Sequence, residues 1–360
     1  MIFIYFSITC YILLCFWLFS GFKKVKKGFP KQSKPTHFFS IIIPFRNEAK
    51  QLSTLIKSIE ALDYPLSQME VLFVDDDSTD GFQFPILNFS HQILHLNRIS
   101  KSPKKEAILK AIPLAKYDWI VTTDADCILP KNWLTDLSEY IESTQKEMVA
   151  GPVFFKPTAC FLNDFQQNEM LALQAVTVGS FGLGKLFMCN GANFAYTKKL
   201  FENLNGFQGN EDQPSGDDVF LLQKAVAQFP EKVGFLLKSS FVVQTQAAAT
   251  WKALFEQRVR WAGKSTAYTS VFGKLVALFV FIANLSVLLS LPYLFWGHYE
   301  LLFLFLIKVL IDVLLANQAA QLYQIQQRKV LLTALVYPFF STFVAIYSLF
   351  GNYTWKGRAF

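Results

Sequence analysis

The sequence predicts an α/β domain, with a mostly parallel sheet flanked by helices, joined to one N-terminal and about three C-terminal transmembrane helices. Two observations support this prediction. Between residues 39 and 250, short β-rich runs alternate with helical stretches, which is the pattern of a parallel sheet covered by helices. Outside that region, apolar runs close to the ~20 residues that cross a bilayer occupy both ends of the chain.

The composition favours a membrane protein over a soluble one. Hydrophobic residues make up 52% of the 360 residues and charged residues only 17%, against roughly 25% charged residues in soluble domains. The net charge is +7, but the basic residues form short clusters beside apolar runs, so we expect no nucleic-acid partner. Five scattered cysteines give neither a disulfide framework nor a zinc-ligand spacing. Anionic lipid surfaces and diphosphates are the expected partners.

The first element is an apolar run over residues 1–21, predicted to be a transmembrane anchor. No positive charge precedes it and the lysines of residues 23–27 follow it, which is opposite to the order in a cleaved signal peptide, the alternative. Lysines beside a span tend to stay in the cytoplasm, so we expect the N-terminus to lie outside. A basic cytoplasmic linker at 22–38 would then lead into the domain at 39–265.

The domain is predicted to alternate strands with helices. The predicted strands lie at 40–44, 71–75, 92–96 and 119–123, and the predicted helices lie at 51–62, 104–115, 132–143 and 219–227. Ligands of open α/β sheets bind beyond the carboxyl ends of the strands. The charged residues that follow the strands are therefore the candidates for a site.

A C-terminal transmembrane region is predicted at 274–350, with apolar stretches at 274–296, 301–319 and 330–350, before a short tail at 351–360. The middle stretch carries Lys308 and Asp312, four residues apart. They could pair on one helix face inside a bundle, or they could mark a segment that lies at the membrane interface. Basic residues after this stretch and at the end of the chain indicate opposite sides of the membrane, so the side of the C-terminus stays open.

Charged residues follow the first two predicted strands. The first ends in Ile-Pro-Phe-Arg-Asn-Glu, which brings Arg46 and Glu48 to a strand tip, although a solvated helix start explains them equally well. The second ends in Val-Asp-Asp-Asp-Ser-Thr-Asp-Gly, and such crowding of acids costs repulsion unless cations or hydrogen-bond donors share them. An Asx turn explains the later acids of this run but leaves Asp75 and Asp76 without a structural purpose.

The fourth predicted strand ends in Thr-Asp-Ala-Asp, so that Asp124 and Asp126 follow a buried apolar run. Two carboxylates at a strand tip, with room for phosphate oxygens and water, suit a hard divalent cation such as Mg²⁺ or Mn²⁺. An isolated Asp-x-Asp also occurs by chance in many proteins. The position just beyond a strand favours the metal site.

Two later motifs each have a functional and a structural explanation. Asp217 and Asp218 open a predicted helix, where one acid could cap the helix or could act as a general base. Farther on, arginine forks and a tryptophan could hold phosphate and stack on a sugar or base, or could simply flank a membrane span. The residues of this second motif are Gln257, Arg258, Arg260 and Trp261.

Taken in order, these motifs and the stretch at Lys104 resemble the family 2 glycosyltransferases of the GT-A fold, over roughly residues 39–263. The flanking spans are similar to those of the membrane-bound branch that includes ceramide and carotenoid glycosyltransferases and, more distantly, cellulose and hyaluronan synthases. The resemblance implies inverting, metal-dependent transfer of a sugar from a nucleotide sugar, with UDP favoured, to a membrane-associated lipid or lipid-linked glycan. The alternatives are a polysaccharide or polyprenyl-phosphate glycosyl synthase and, in a different class, a non-catalytic nucleotide-binding transporter or scaffold.

The resemblance also implies roles for individual residues. Asp218 would be the catalytic base, preceded by Asp217 where glutamate is commoner. Asp126, helped by Asp124, would hold Mg²⁺ or Mn²⁺ on the diphosphate. The donor would contact Pro44, Arg46, Glu48, Asp75, Asp76, Lys104 and Asp124, and the diphosphate and acceptor would contact Gln257, Arg258, Arg260 and Trp261. Residues 189–194 would form a strand beneath the acceptor, or alternatively a core strand with a glycine bulge.

The expected location follows from the anchor and the family resemblance. We expect an integral membrane protein of the bacterial inner membrane, with its catalytic domain in the cytoplasm. Pro103 and Phe82 depart from the residues usual in the family, and these departures leave the acceptor and the nucleotide preference open.

Overall fold

The computed structural model describes residues 1–25, 36–96, 102–211, 213, 215–350, 354–355 and 358–359. The chain divides into two compact units. The helical unit contains residues 1–25, 157–187 and 247–360, and the α/β unit contains residues 26–156 and 188–246. Residues 157–187 and 247–265, predicted within the domain, thus belong to the helical unit. The predicted linker and tail lie largely outside the described residues.

The regular elements of the described residues are as follows. The helices are α1 (Ile2–Lys24), α2 (Ala49–Glu60), α3 (Pro103–Ala111), α4 (Trp133–Thr144), α5 (Phe161–Gly182), α6 (Lys198–Asn203), α7 (Asp217–Gln228), α8 (Trp251–Gly263), α9 (Val271–Phe295), α10 (Glu300–Tyr323) and α11 (Val330–Ser348). The strands are β1 (Phe39–Phe45), β2 (Met69–Asp75), β3 (His91–His95), β4 (Trp119–Thr122), β5 (Met148–Ala150), β6 (Val153–Phe155), β7 (Phe194–Thr197), β8 (Val233–Phe235), β9 (Val243–Thr245), β10 (Thr354–Trp355) and β11 (Arg358–Ala359).

The α/β unit is built on a mostly parallel sheet. Within the described residues this sheet has seven strands in the order β3-β2-β1-β4-β7-β5-β8. Strands β3, β2, β1 and β4 are parallel, and β7 runs antiparallel to both of its neighbours. The apolar side chains of β1 and β2 are buried on both faces, as expected for parallel strands covered by helices. A separate parallel pair is formed by β6 and β9.

The predicted elements of this unit are confirmed, with small shifts at their ends. The four predicted strands correspond to β1, β2, β3 and β4. The predicted helix at 104–115 is shorter than expected, because α3 ends at Ala111 and a 3-10 turn, Ile112–Leu114, follows. Pro113 lies in that turn, and proline lacks the N–H that would continue the α-helical hydrogen bonding.

Among the described residues, three helices of the helical unit are long and apolar enough to cross a membrane, namely α1, α9 and α11. The middle predicted C-terminal span corresponds to α10, which is not one of them, so the expected three C-terminal spans are reduced to two candidates. Lys308 of α10 is buried and its Nζ lies 2.7 Å from Asp312 Oδ2, which confirms the pairing on one helix face. Whether α10 crosses the bilayer stays a prediction.

Helix α5 was not predicted, and it is a central element of the helical unit. It packs against α1 at Gly179 and Gly182, opposite Gly21 of α1. A Cβ atom added at any of these glycines would overlap backbone atoms of the facing helix. Small residues thus allow the two backbones to touch, as they do in membrane helix pairs.

Candidate active site

A lysine among carboxylates lies in the α/β unit. Lys104 Nζ is 2.6 Å from Asp124 Oδ1 and 3.5 Å from Asp217 Oδ2, and Asp218 adds a further negative charge nearby. Burial alone would lower the pKa of Lys104, but these carboxylates outweigh it, and the pKa is raised above its usual value. The stabilisation from this charge is therefore present throughout the neutral range and is lost only when the pH rises through the raised pKa.

Three segments of the chain bring these residues together. Asp124 is the second residue after the buried strand β4, and Lys104 lies in the first turn of α3, where Pro103 supplies the φ angle that a helix start requires. Asp217 and Asp218 open α7 just after Gly216, whose φ of 88° is a conformation that favours glycine. The positive end of the α7 dipole favours carboxylates at this position.

Asp218 is held in a fixed orientation by backbone N–H groups. Its Oδ2 accepts a hydrogen bond from Gly191 N at 2.8 Å, and its Oδ1 accepts one from Val219 N at 2.8 Å. A Cβ atom at Gly191 would lie only 3.0 Å from Lys104 Nζ. Gly191 therefore allows a close approach of backbone to the acid cluster. The strand predicted over residues 189–194 is not formed, because β7 begins only at Phe194 and a turn precedes it.

Arg46 lies beside the acids that follow β2. Its Nη1 donates to the backbone oxygen of Asp76 and lies 3.6 Å from Asp77 Oδ2. The Asp76 side chain is buried, and its backbone N–H donates to Phe45 O at 2.9 Å. The predicted donor residues Arg46 and Asp76 thus meet at neighbouring strand ends.

The other acids of this run have structural partners. Asp75 Oδ1 accepts a hydrogen bond from Ser78 N, three residues later, at 2.9 Å. Asp80 Oδ2 accepts one from Ala49 N at 2.8 Å and so satisfies an N–H in the first turn of α2. The turn predicted for the later acids would cap the next helix, but Asp80 bonds back to α2, and Asp75 has a structural partner that the sequence did not indicate.

The remaining predicted donor residues lie at the same edge of the sheet. Pro44 is the last but one residue of β1 and pairs in register with Val74 of β2. Glu48 is the residue that precedes α2. Both are therefore neighbours in sequence of Arg46.

Asp126 lies two residues beyond Asp124, and its Oδ2 accepts a hydrogen bond from Thr245 Oγ1 of β9 at 3.1 Å. The adjacent Cys127 is buried, and burial together with the charges of Asp126 and Asp124 raises the pKa of its thiol well above the usual value. Within the described ranges, no group of three or more His, Cys, Asp or Glu side chains is arranged to hold a metal ion. Two carboxylates nevertheless fit Mg²⁺ or Mn²⁺, which commonly take one or two carboxylates and complete their shell with phosphate oxygens and water.

The predicted segment from Gln257 to Trp261 lies on α8 of the helical unit. Arg258 is only 4% exposed, and its Nε and Nη2 lie 2.8 and 2.7 Å from Glu169 Oε2 of α5. Its guanidinium stacks 4.1 Å from the centre of the Trp261 ring, and its Nη1 donates to Gln257 Oε1. Arg260 is partly buried. Sequence reasoning missed Glu169.

Comparison with known proteins identifies the class. Residues 40–204 match the family described as glycosyl transferase family 2. The fold is similar to that of a mannosyltransferase from Pyrobaculum calidifontis solved in complex with GDP-Man and Mn²⁺, with a TM-score of 0.56 and 16% identity over 96% of this chain and 98% of that one. Residues 40–204 therefore match a family 2 glycosyltransferase domain, and the fold is GT-A-like.

Two curated relatives extend the comparison. The probable glycosyltransferase YdaM of Bacillus subtilis is 24% identical over 279 residues, which is 73% of this chain and 63% of the relative. The beta-monoglucosyldiacylglycerol synthase of a Nostoc species is 23% identical over 234 residues, which is 62% of this chain and 48% of the relative. The matched region thus spans less than two thirds of the length of the first relative and about half of the second.

Proposed function

We propose that this chain transfers a sugar from a nucleotide sugar, with a UDP-sugar as the expected donor, to a membrane-associated acceptor that is a lipid or a lipid-linked glycan. The observation that carries the proposal is the cluster of Lys104 with Asp124, Asp217 and Asp218 inside a family 2 glycosyltransferase domain. The lipid acceptor is supported by three membrane-length apolar helices among the described residues and by a relative that is named as a glucosyldiacylglycerol synthase.

Asp218 is the proposed general base. Each of its oxygens accepts one backbone N–H, and each carboxylate oxygen keeps a further lone pair that can take a proton. In a single inverting displacement, the acceptor hydroxyl gives its proton to Asp218 as its oxygen bonds to the anomeric carbon. The bond from that carbon to the diphosphate oxygen breaks, and the nucleoside diphosphate leaves with the electron pair.

Asp126 and Asp124 are the proposed ligands of Mg²⁺ or Mn²⁺. When bound, the cation neutralises negative charge that develops on the departing diphosphate. Thr245 would hold Asp126 in place through its hydroxyl, and Lys104 would hold Asp124. Arg46 and Asp76 would contact the nucleotide, and Arg260 would contact the diphosphate.

We also propose that the protein resides in a bacterial inner membrane, with its N-terminus outside and the α/β unit in the cytoplasm. Lys23 and Lys24, at the end of α1, support this orientation, because basic residues beside a span tend to remain in the cytoplasm. An acceptor lipid in the same membrane would be within reach of the enzyme.

The test is release of nucleoside diphosphate by the detergent-purified chain. A panel of UDP- and GDP-sugars is supplied with Mn²⁺ or Mg²⁺ and membrane lipid extract, with a chelator control. We expect metal-dependent release that Asp218→Asn lowers by about 10²- to 10⁴-fold, the usual contribution of a positioned base. Asp118→Asn is the matched control, because Asp118 is exposed at the opposite end of β4. It should keep full activity.

Two outcomes would contradict the proposal. Full transfer by purified Asp218→Asn would exclude this acid as the base. No release with any donor would favour a binding or scaffold role for the domain. A labelled sugar product that partitions wholly into water would count against the lipid acceptor alone.

A further inference from the structure

Helix α5 contacts α8 and the segment just before it, both within the helical unit. The Gln166 amide pairs with the backbone of Ala248, accepting from its N–H at 2.8 Å and donating to its carbonyl oxygen at 3.1 Å. Three residues later, and so on the same face of α5, Glu169 pairs with Arg258 of α8. Two positions of the segment that leads to Trp261, Ala248 and Arg258, are therefore both hydrogen-bonded to α5.

The contact between Glu169 and Arg258 is buried and directional. Glu169 is 8% exposed and Arg258 is 4% exposed, so neither charge can turn to water without leaving the other unpaired in an apolar surrounding. Arg258 Nε donates a hydrogen bond to Glu169 Oε2 at 2.8 Å, and Nη2 lies 2.7 Å from the same oxygen. The central carbon of this guanidinium, Cζ, lies over the Trp261 ring, 4.1 Å from its centre. Glu169 thus fixes the position of the Arg258 guanidinium, and the guanidinium in turn contacts the Trp261 ring.

We propose that Glu169 is a positioning residue for sugar transfer, acting through Arg258 on the orientation of Trp261 and of the α8 turn that carries Gln257 and Arg260. This inference rests on the proposed function, in which that turn takes part in the reaction. It gives Arg258 a supporting role instead of the diphosphate contact predicted from the sequence. Of the two arginines, Arg260 becomes the candidate for that contact.

The test compares kcat with the KM for the donor in Glu169→Gln, in the full-length purified enzyme. Glutamine keeps the shape of glutamate but removes the charge that fixes Arg258. We expect kcat to fall by about 10- to 100-fold, since a misplacement of about 1 Å near the reacting groups can cost 10²-fold. The KM for the donor should stay within about threefold, because the donor residues of the α/β unit are untouched.

Two further variants separate positioning from general damage to the fold. Asp164→Asn is the matched control, since Asp164 also lies on α5 but its Oδ2 faces Lys329 at 3.8 Å. It should keep normal kcat. Arg258→Lys keeps a positive charge beside Glu169 but loses the planar fork that contacts both Glu169 and Trp261. It should lower kcat about as much as Glu169→Gln does.

The outcomes distinguish the inference from the proposed function. Full kcat in Glu169→Gln, alongside an inactive Asp218→Asn, would overturn the inference and leave the proposed function intact. Equal losses in Glu169→Gln and Asp164→Asn would also overturn it, because they would reflect general loosening of α5. If Glu169→Gln cannot be purified, a normal kcat in Arg258→Lys overturns the inference. A wild-type chain that releases no nucleoside diphosphate from any donor would overturn both.

Discussion

The α/β unit and the helical unit each bury a lysine among polar groups, and the two clusters differ in charge balance. In the helical unit, Lys308 Nζ lies 2.7 Å from Asp312 Oδ2 and 2.8 Å from Asn284 Oδ1, and Tyr11 donates to the other Asp312 oxygen at 2.5 Å. One cation thus meets one anion. In the α/β unit, Lys104 faces the carboxylates of Asp124, Asp217 and Asp218.

This difference separates a structural cluster from a candidate site. The Lys308 side chain is 2% exposed, and the cluster is neutral and hydrogen-bonded, so it needs nothing further to be stable. The acid cluster brings three carboxylates to one lysine, and the Asp124 side chain is 42% exposed. Crowded carboxylates gain stability from an added cation. The excess charge is what a metal ion would balance.

The comparison predicts the largest effect on stability for Lys308→Met. The substitution leaves Asp312 without its cation. Breaking a buried pair costs about 3–5 kcal/mol, and because the Asp312 side chain is 25% exposed we expect a loss near the lower end of that range. The double variant Lys308→Met and Asp312→Leu removes both charges and should lie within about 1 kcal/mol of wild type. Thermal unfolding in detergent measures both. If the single variant is as stable as the wild type, the cluster does not hold α10 in the bundle.

Lys104→Met should affect activity more than stability: we expect a smaller loss of stability than in Lys308→Met, together with a loss of activity. The Asp124 side chain is 42% exposed, so water can solvate it, and Asp218 keeps its two backbone N–H donors. We expect kcat/KM for the donor to fall about 10- to 100-fold, which is about 1.4–2.7 kcal/mol of transition-state stabilisation. Steady-state release of nucleoside diphosphate measures this change.

The control for Lys104→Met is Lys110→Met, because Lys110 is an exposed lysine on the same helix, α3. It should retain wild-type kcat/KM. A Lys104→Met protein that unfolds as readily as Lys308→Met but keeps its activity would contradict the distinction between the two clusters. The lysine of the site would then serve only the fold.

The sequence predicts the acid cluster better than it predicts the helical unit, for a physical reason. Asp124 and Asp126 follow a buried strand, and the parallel strands end at one edge of the sheet, so local pattern alone brings the acids together. Helix α5 carries no such signal. Its Gln, Asn and Glu residues are buried, and their partners lie on distant segments, as Glu169 and Arg258 show. Only packing determines which pairs meet.

Two contacts that support the site were missed for the same reason. Gly191 lies next to Lys104 only because β7 runs antiparallel beside β4. Thr245 reaches Asp126 from β9. Both contacts join segments far apart in sequence, so spacing cannot reveal them. A motif locates the charged groups but not the uncharged residues that hold them.

The smallest predicted effect concerns one of these supporting residues. Thr245→Val removes the hydroxyl that donates to Asp126 Oδ2 while keeping the shape of the side chain. If Asp126 binds the cation as proposed, losing this partner should raise the half-saturating Mn²⁺ concentration about tenfold, with kcat at saturating Mn²⁺ unchanged. Thr135→Val, on α4 of the same unit, should leave the Mn²⁺ requirement unaltered. An unchanged requirement in Thr245→Val would mean that Asp126 does not need this contact to bind the cation. The excess charge near Lys104 would then remain as the main attraction for the metal.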